Sequence, residues 1–291
     1  MPHSRKIVIA DGGSTKCKWA VVSLAGGGAQ CQTFVTKGVN PLQLTADDIA
    51  GLWADCADAF SAMNDAEVVH YYGAGCIGGV ANGRIVEAVA KLSGVGNILV
   101  YSDMLGAARG VLGSRSGVAC ILGTGCNSCL YDGCDIVSNI RPLGYILGDE
   151  GSGADIGKHL VADALKGILP SALTDKFYAF AGAEYADVIR RIYNEPRANA
   201  YLASFVPFVA ENLDRPEMRD LVRARFDAFL QRNVLLYGRD ALNGSTVGFT
   251  GGVASQFELL LRKACQDAGL TSIVVTPDPL PGLVDYHANL L

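Results

Sequence analysis

The stretch Ile9-Ala10-Asp11-Gly12-Gly13-Ser14-Thr15-Lys16 decides how the rest of the chain is read. An aliphatic run ends in an acid, two glycines and two hydroxyl residues, and a second strand-like run follows from Lys18. Glycines beside hydroxyl residues at a strand-to-strand turn let backbone N–H groups close on an anion, usually phosphate. Ile121-Leu122-Gly123-Thr124-Gly125-Cys126-Asn127-Ser128 has the same make. One such turn is as readily an ordinary glycine hairpin, with Lys16 a solvated charge. Two of them point to a duplicated nucleotide-clamping architecture.

The pattern around each turn repeats. Lys6–Ala10, Lys18–Ser23 and Gln32–Val35 read as strands, Thr45–Phe60 as a helix with Ile49, Leu52, Trp53 and Cys56 on one face, and Glu67–Tyr72 as a strand ending at Gly73-Ala74-Gly75. Gly83–Leu92 is expected to be helical, Asn97–Tyr101 a buried strand, and the period turns helical again from Asp103. The small, polar segment Leu112–Gly117 is the best linker. Beyond it, Val118–Leu122, Ser128–Asp132 and Asp135–Asn139 form a second strand block with a hairpin turn at Asp132-Gly133. Ser152–Leu242 is mainly helical, with Val222, Phe226, Phe229 and Leu230 in one apolar stripe. Thr246–Thr250 is a strand, Ser255–Ala268 a helix, Ser272–Val275 a closing strand, and Leu280–Leu291 one more helix. The expected organisation is an N-terminal lobe over 1–112, completed by the helix 280–291, and a C-terminal lobe over 113–279. The internal repeat is one of pattern, not of residue identity.

Composition narrows the function classes. The 291 residues suffice for two domains, and 50% hydrophobic content supplies a sizeable core. A net charge of −5 and a pI near 5.4 argue against nucleic acid, which selects a basic footprint. No apolar run reaches the roughly 18 residues of a membrane helix, and the opening Met1–Lys6 lacks a signal-peptide pattern. Nine cysteines, an odd number scattered through core-like segments, read as reduced thiols in a cytoplasmic protein. Cys126-x-x-Cys129 invites a zinc reading, but on a strand the odd spacing puts the two thiols on opposite faces. The apolar helical stripes could bury in a core or in a homodimer interface.

Asp11–Lys16, Gly123–Asn127, Leu147-Gly148-Asp149-Glu150-Gly151-Ser152-Gly153 and Phe249-Thr250-Gly251-Gly252 occur in the order of a known family. Together they resemble the N-acetylglucosamine kinase branch of the actin-like ATPase superfamily, which also holds hexokinases, actin and the heat-shock ATPase domain. The resemblance implies an α/β fold of two ribonuclease-H-like lobes, with ATP and a sugar held in the cleft between them.

The individual residues are consistent with that chemistry. Asp11, at a strand end, can hold Mg²⁺ through water, since a hard cation prefers oxygen ligands. Gly12 and Gly13 allow close backbone approach, Thr15 and Lys16 can donate to phosphate oxygens, and Ser14 belongs to the same nucleotide-binding turn. On the second turn Thr124, Gly125 and Asn127 offer a similar kit, and Asn127 is also a candidate sugar contact. Cys126 stands where the family has a serine, and a thiol donates weakly, so its backbone N–H is the expected contact. Asp103, at the carboxyl end of a strand, is the candidate general base; the competing reading is a plain helix N-cap. Asn40 and Asp149 are the expected sugar contacts, with Glu150 a neighbour of undecided role. Asn40 reads equally as a turn residue before Pro41, and Ser152-x-x-Asp155 resembles a capping box. By resemblance Gly251-Gly252 is the adenosine motif, though a tight turn alone would need glycine there. Gly73-Ala74-Gly75 is a turn or a pocket wall.

The function expected is ATP- and Mg²⁺-dependent phosphorylation of an amino sugar, N-acetylglucosamine foremost. Kinases for glucosamine or N-acetylmuramic acid differ only in pocket shape. Two other readings share the fold: an iron–sulfur ATPase activating an acyl-CoA dehydratase or benzoyl-CoA reductase, and a chaperone-like nucleotide switch. The Leu147–Gly153 stretch favours the kinases, and the short second half leaves no room for a peptide-binding domain.

Overall fold

The computed structural model describes residues 5–13, 15–25 and 28–290, so Ser14 and the tail end at Leu291 lie outside the described residues. The chain divides into two compact units, Met1–Ser114 with Asp278–Leu291, and Arg115–Pro277. The first runs β1 (Arg5–Gly12), β2 (Lys16–Ala25), β3 (Gly28–Lys37), α1 (Ala46–Trp53), a 3₁₀ turn (Ala54–Cys56), α2 (Ala57–Ser61), β4 (Val68–Gly73), α3 (Gly79–Ser93), β5 (Ile98–Ser102) and α4 (Asp103–Leu112). The second opens with β6 (Gly117–Leu122), β7 (Cys126–Tyr131) and β8 (Ile136–Ile140). Helices follow: α5 (Gly144–Leu147), α6 (Gly153–Leu165), α7 (Ser171–Ala181), α8 (Tyr185–Asn194), α9 (Ala198–Ala203), α10 (Val206–Glu211), α11 (Pro216–Arg232) and α12 (Arg239–Leu242). Then come β9 (Thr246–Thr250), α13 (Gly252–Gln256), α14 (Glu258–Asp267) and β10 (Ile273–Thr276), and α15 (Leu280–Ala288) rejoins the first unit.

Each unit is built on one five-stranded sheet, and the two sheets share a topology. Their orders are β3-β2-β1-β4-β5 and β10-β9-β6-β7-β8. In both, the first three strands pair antiparallel and the last two join in parallel. The repeat expected from pattern is therefore real. It makes β1 the counterpart of β6, and the turn after Asp11 the counterpart of the turn after Leu122.

Strand alternation supplies the cores. In the first unit Ala10, Trp19 and Phe34 are cross-strand partners. Trp19 is fully buried and meets Phe34, Trp53, Phe60 and Tyr71 at ring-centroid distances of 5.7, 5.4, 5.1 and 5.7 Å. Burying one such ring is worth about 1.5–3 kcal/mol, and edge-to-face pairs add about 0.5–1.5 kcal/mol. The polar ends are satisfied too: Trp19 Nε1 donates to Thr36 Oγ1 at 3.0 Å and Trp53 Nε1 to the Lys37 carbonyl at 2.8 Å. In the second unit Val118, Cys120 and Leu122 alternate into a core with Ile156, Phe226 and Phe249.

Three helix and strand expectations are corrected. The helix expected over 45–60 is capped by Thr45 in a reciprocal capping box with Asp48 and interrupted by the 3₁₀ turn at Ala54–Cys56. The one expected over 255–268 starts earlier, at Gly252, and breaks at Phe257, which has φ −117° and ψ 30° and is buried in the core. The strand near Asn97–Tyr101 is not buried: β5 is the sheet edge, and Leu99 is 41% exposed. An aliphatic run is common to central and edge strands, so sequence alone does not separate them.

The opposite face of the first sheet carries a polar aromatic cluster. Tyr72 Oη lies 2.8 Å from His287 Nε2 and accepts a hydrogen bond from Arg109 Nη1 at 2.9 Å. His70 and His287 stack at 3.8 Å, and the Arg109 guanidinium lies 5.1 Å from the rings of both Tyr101 and Tyr286. Burial, with the Arg109 charge, pushes His70 down from 6.5 to about 4. Burial, His70 and Arg109 push His287 down to about 3. Both imidazoles are therefore neutral in the folded chain. Their contribution to stability is complete above about 6.5 and is lost as the pH falls toward these depressed values, because the unfolded chain takes up the protons first. His70→Phe should unfold like wild type at pH 7 yet outlast it in urea at pH 4.5. Identical pH dependence of the two proteins would contradict this.

Candidate functional site

In the first unit the local chain places Asp11 at the end of β1, directly across from Lys18 on β2. Lys18 Nζ lies 2.5 Å from Asp278 Oδ2. Burial, followed by the Asp278 charge, pushes the Asp11 carboxyl up to about 6; Lys18 and Lys16 pull it down and Asp103 adds to the rise. Gly12 is required by packing, since a Cβ there would come 2.4 Å from Tyr71 Oη. Gly13 N–H donates to the Lys16 carbonyl at 3.0 Å and closes the turn on itself. Thr15 and Lys16 are left exposed, and Ser14 lies outside the described residues.

Asp103 is not the helix cap. Ser102 takes that role, with extended backbone and Oγ accepting the Leu105 N–H at 3.2 Å. Asp103 is the first helical residue of α4, and its Oδ1 accepts the N–H of its neighbour Met104 at 2.9 Å. Burial raises its carboxyl, and the Met104 hydrogen bond opposes that. The adjoining Cys76 thiol is pushed up to about 12 by burial and then by Asp103. Asn40 stands at the same turn: a Cβ on Gly75 would meet its Oδ1 at 2.4 Å. That oxygen also accepts the Leu42 N–H at 3.0 Å, which makes an Asx turn. The first unit thus gathers Asp11, Asp103, Asn40 and the Gly73–Gly75 turn.

Lys18 and Asp278 were not singled out in the sequence. The signal for Asp278 was the repeat itself: it lies between β10 and α15, two residues before the helix, as Asp103 lies between β5 and the body of α4. Asp278 Oδ1 accepts the Leu280 N–H at 3.1 Å.

In the second unit one hydrogen-bonded frame joins the second turn to the Gly148–Gly153 loop. Gly153 N–H donates to the Gly123 carbonyl at 2.8 Å and Ala154 N–H to the Thr124 carbonyl at 3.0 Å. Cys126 N–H donates to Asp149 Oδ1 at 3.2 Å, and the carboxylate lies flat against Gly125, whose Cβ would be 3.1 and 3.2 Å from its two oxygens. So the amide expected to meet phosphate holds Asp149 in this state. Asp149 is buried, with a left-handed φ of 58° that is strained for a residue other than glycine. Burial raises its carboxyl, the Cys126 amide lowers it, and Glu150 and Asp155 raise it further. Glu150 itself pairs with Arg232.

Thr124 is exposed beside this frame. Asn127 Oδ1 accepts from Ser128 N–H and Asn139 Nδ2, both at 2.9 Å. The Cys126 thiol is buried in the core, and Cys129 is paired on the sheet with Ala119, on the other face. Among the described residues no cluster of three His, Cys, Asp or Glu could hold a metal, and the cysteines there are free. Gly251 and Gly252 have different reasons. Gly251 has φ 110° and a Cβ would lie 2.4 Å from the Leu122 carbonyl, so the turn demands it. Gly252 has open space where a Cβ would be. The Thr250 hydroxyl beside them is buried without a hydrogen-bond partner.

No helix among the described residues is long and apolar enough to cross a membrane. No protein-family model and no curated protein matches the chain. Solved structures do. A Porphyromonas gingivalis protein provisionally named N-acetylglucosamine kinase is 40% identical over 97% of this chain and 99% of its own, with a TM-score of 0.90. A similarly named Chromobacterium violaceum protein, 21% identical over 97% of this chain and 98% of its own at a TM-score of 0.72, shares the fold. So does a ROK-family transcriptional regulator, a homologue of the E. coli MLC protein, 13% identical over 98% of this chain and 78% of its own at 0.53. With the duplicated sheet topology and the ordered glycine turns, the 40% identity over the full length establishes that the chain belongs to the N-acetylglucosamine kinase-like branch of the actin-like ATPase superfamily.

Proposed function

We propose that the chain is an ATP-dependent sugar kinase acting on an amino sugar, N-acetylglucosamine at its 6-hydroxyl. The observation that carries this is Asp103. Ser102 caps α4 in its place, so a half-buried carboxylate is left bonded to the backbone N–H of Met104 beside it and to no other side chain among the described residues. A sugar hydroxyl is too weak an acid to ionise at neutral pH, and a carboxylate within hydrogen-bond reach can orient it and accept its proton. The relative at 40% identity bears a name for that activity.

The remaining residues fit the groups this reaction needs. Asp11, pushed up to about 6 by burial and by the Asp278 charge, lies where positive charge is short, which suits Mg²⁺ held through water. Exposed Thr15, Lys16 and Thr124 can donate to phosphate oxygens, and the open face at Gly252 leaves room for adenine against backbone. Bound MgATP supplies the phosphoryl group and screens its charge. Asp103 takes the proton of the 6-hydroxyl as the new O–P bond forms and ADP leaves. Asn40, Asn127 and Asp149 offer the donors and acceptors that select hydroxyl and acetamido groups, and a sugar that leaves one of them unmatched is rejected.

The test is ADP release measured with N-acetylglucosamine, glucosamine, glucose and N-acetylmuramic acid. N-acetylglucosamine should give the highest kcat/KM, with ATP turnover near background when sugar is withheld. A higher kcat/KM for another amino sugar would move the substrate within the same chemistry. Full ATP turnover without sugar would overturn the kinase reading.

A further inference from the structure

We infer that Asp155 is a positioning residue that holds Asp149 in its left-handed conformation by fixing the intervening Gly151 amide. Its sequence context suggested a capping box, in which the Asp155 carboxylate would take the Ser152 N–H. The cap half is present, since Ser152 Oγ accepts the Asp155 N–H at 3.2 Å. The return half is not. Ser152 N–H donates to the Asp149 carbonyl at 3.0 Å, closing the turn at φ 58°. The Asp155 carboxylate reaches one residue further back, and its Oδ2 accepts the Gly151 N–H at 3.0 Å.

Asp155 is built for that task. It is 3% exposed, and both oxygens are committed. Oδ1 lies 3.3 Å from Lys158 Nζ and 3.5 Å from His159 Nε2, while Oδ2 lies 3.9 Å from Arg225 Nη1. Arg225 Nη1 is in turn 2.7 Å from His159 Nε2, so the side chains around the carboxylate are fixed relative to one another. Gly151 has φ 72°, and a Cβ there would come 2.9 Å from Phe229 Cβ, so the loop is pressed onto α11. The loop is thus held from behind by Asp155 and in front by the Cys126 amide on Asp149. Removing the rear hold lets Asp149 relax out of its left-handed backbone and off the Cys126 amide.

The inference rests on Asp149 serving the sugar site, and its test has a readout that needs no sugar. Asp155→Ala and Asp155→Asn are compared with wild type by amide hydrogen exchange of the ligand-free chain and by steady-state kinetics. In the Ala variant the Cys126 and Ser152 amides should exchange at least about tenfold faster, while Val247–Phe249 in the sheet keep their protection. KM for N-acetylglucosamine should rise about tenfold or more, with KM for ATP within about twofold. The Asn variant, whose side-chain oxygen can still accept from Gly151, should recover most of both. Unchanged Cys126 exchange in the Ala variant would overturn the inference. So would loss of protection through the whole sheet in both variants, which marks a general stabilising role. If Ala does not fold, Asp155→Glu, which displaces the carboxylate by one methylene, carries the same expectation. A wild type that phosphorylates no amino sugar refutes the functional reading, and the exchange result still decides on Asp155.

Discussion

Asp103→Asn should lower kcat by about 10²–10⁴, or roughly 3–5 kcal/mol of barrier, in a protein that folds normally. The substitution preserves shape, and the Asn side-chain oxygen can keep the 2.9 Å hydrogen bond from the Met104 N–H. Ser102 rather than residue 103 caps α4, so the helix loses no cap. What disappears is the only capacity at that position to accept a proton. KM for ATP should change little, because the residue acts on the acceptor hydroxyl. Wild-type activity should also decline on the acid side at a pH above the ordinary carboxylate range, since burial raises the Asp103 carboxyl and only the ionised form is a base. Single-turnover kinetics beside a thermal melt give the answer, and near-normal turnover in a folded variant would end the assignment of Asp103 as base.

Gly282→Ala should destabilise the first unit by about 3 kcal/mol, the upper end of ordinary overpacking. A Cβ on Gly282 would stand 1.8 Å from the Gly110 carbonyl oxygen, 2.8 Å from its carbonyl carbon and 3.2 Å from its Cα. All three are backbone atoms of α4, so no side chain can turn aside. Gly110 is equally confined, with a Cβ meeting the Pro279 carbonyl at 2.5 Å. The two helices must therefore part, which pulls His287 away from Tyr72 and loosens the contacts of Arg109. At that scale Tm falls by about 6–12 °C. Because α4 carries Asp103, kcat should fall as well, at temperatures where the variant is still folded. A variant melting within 2 °C of wild type, by order of the same scale, would mean that the contact can open without cost.

The sequence was most legible where chemistry is local. Thr250 ends a strand and the glycine turns follow their strands, because each depends on neighbours a few residues away. Legibility failed where two local readings share one residue type. Aspartate before a helix is a good cap, and nothing in Tyr101-Ser102-Asp103-Met104 says that serine wins; the backbone at Ser102, extended at φ −68° and ψ 151°, decided it. Asp155 read as a capping partner because spacing cannot report that the Ser152 N–H is already bonded to Asp149. Gly12, Gly251 and Gly252 looked alike as glycines, yet a tyrosine ring, a carbonyl and open space are three different reasons for having no side chain.

By itself, the sequence determined the class of this protein: an α/β repeat with two glycine–hydroxyl turns, in an acidic chain with no long apolar span. Those properties follow from periodicity and composition, which act over a few residues. Only the tertiary structure decided what each carboxylate is free to do. Asp11 feels Asp278 from far along the chain, Asp149 lies on the Cys126 amide, and Asp103 is released by its neighbour's cap. The availability of a charge depends on burial and on partners brought together by folding, and the order of residues does not encode either in any short window.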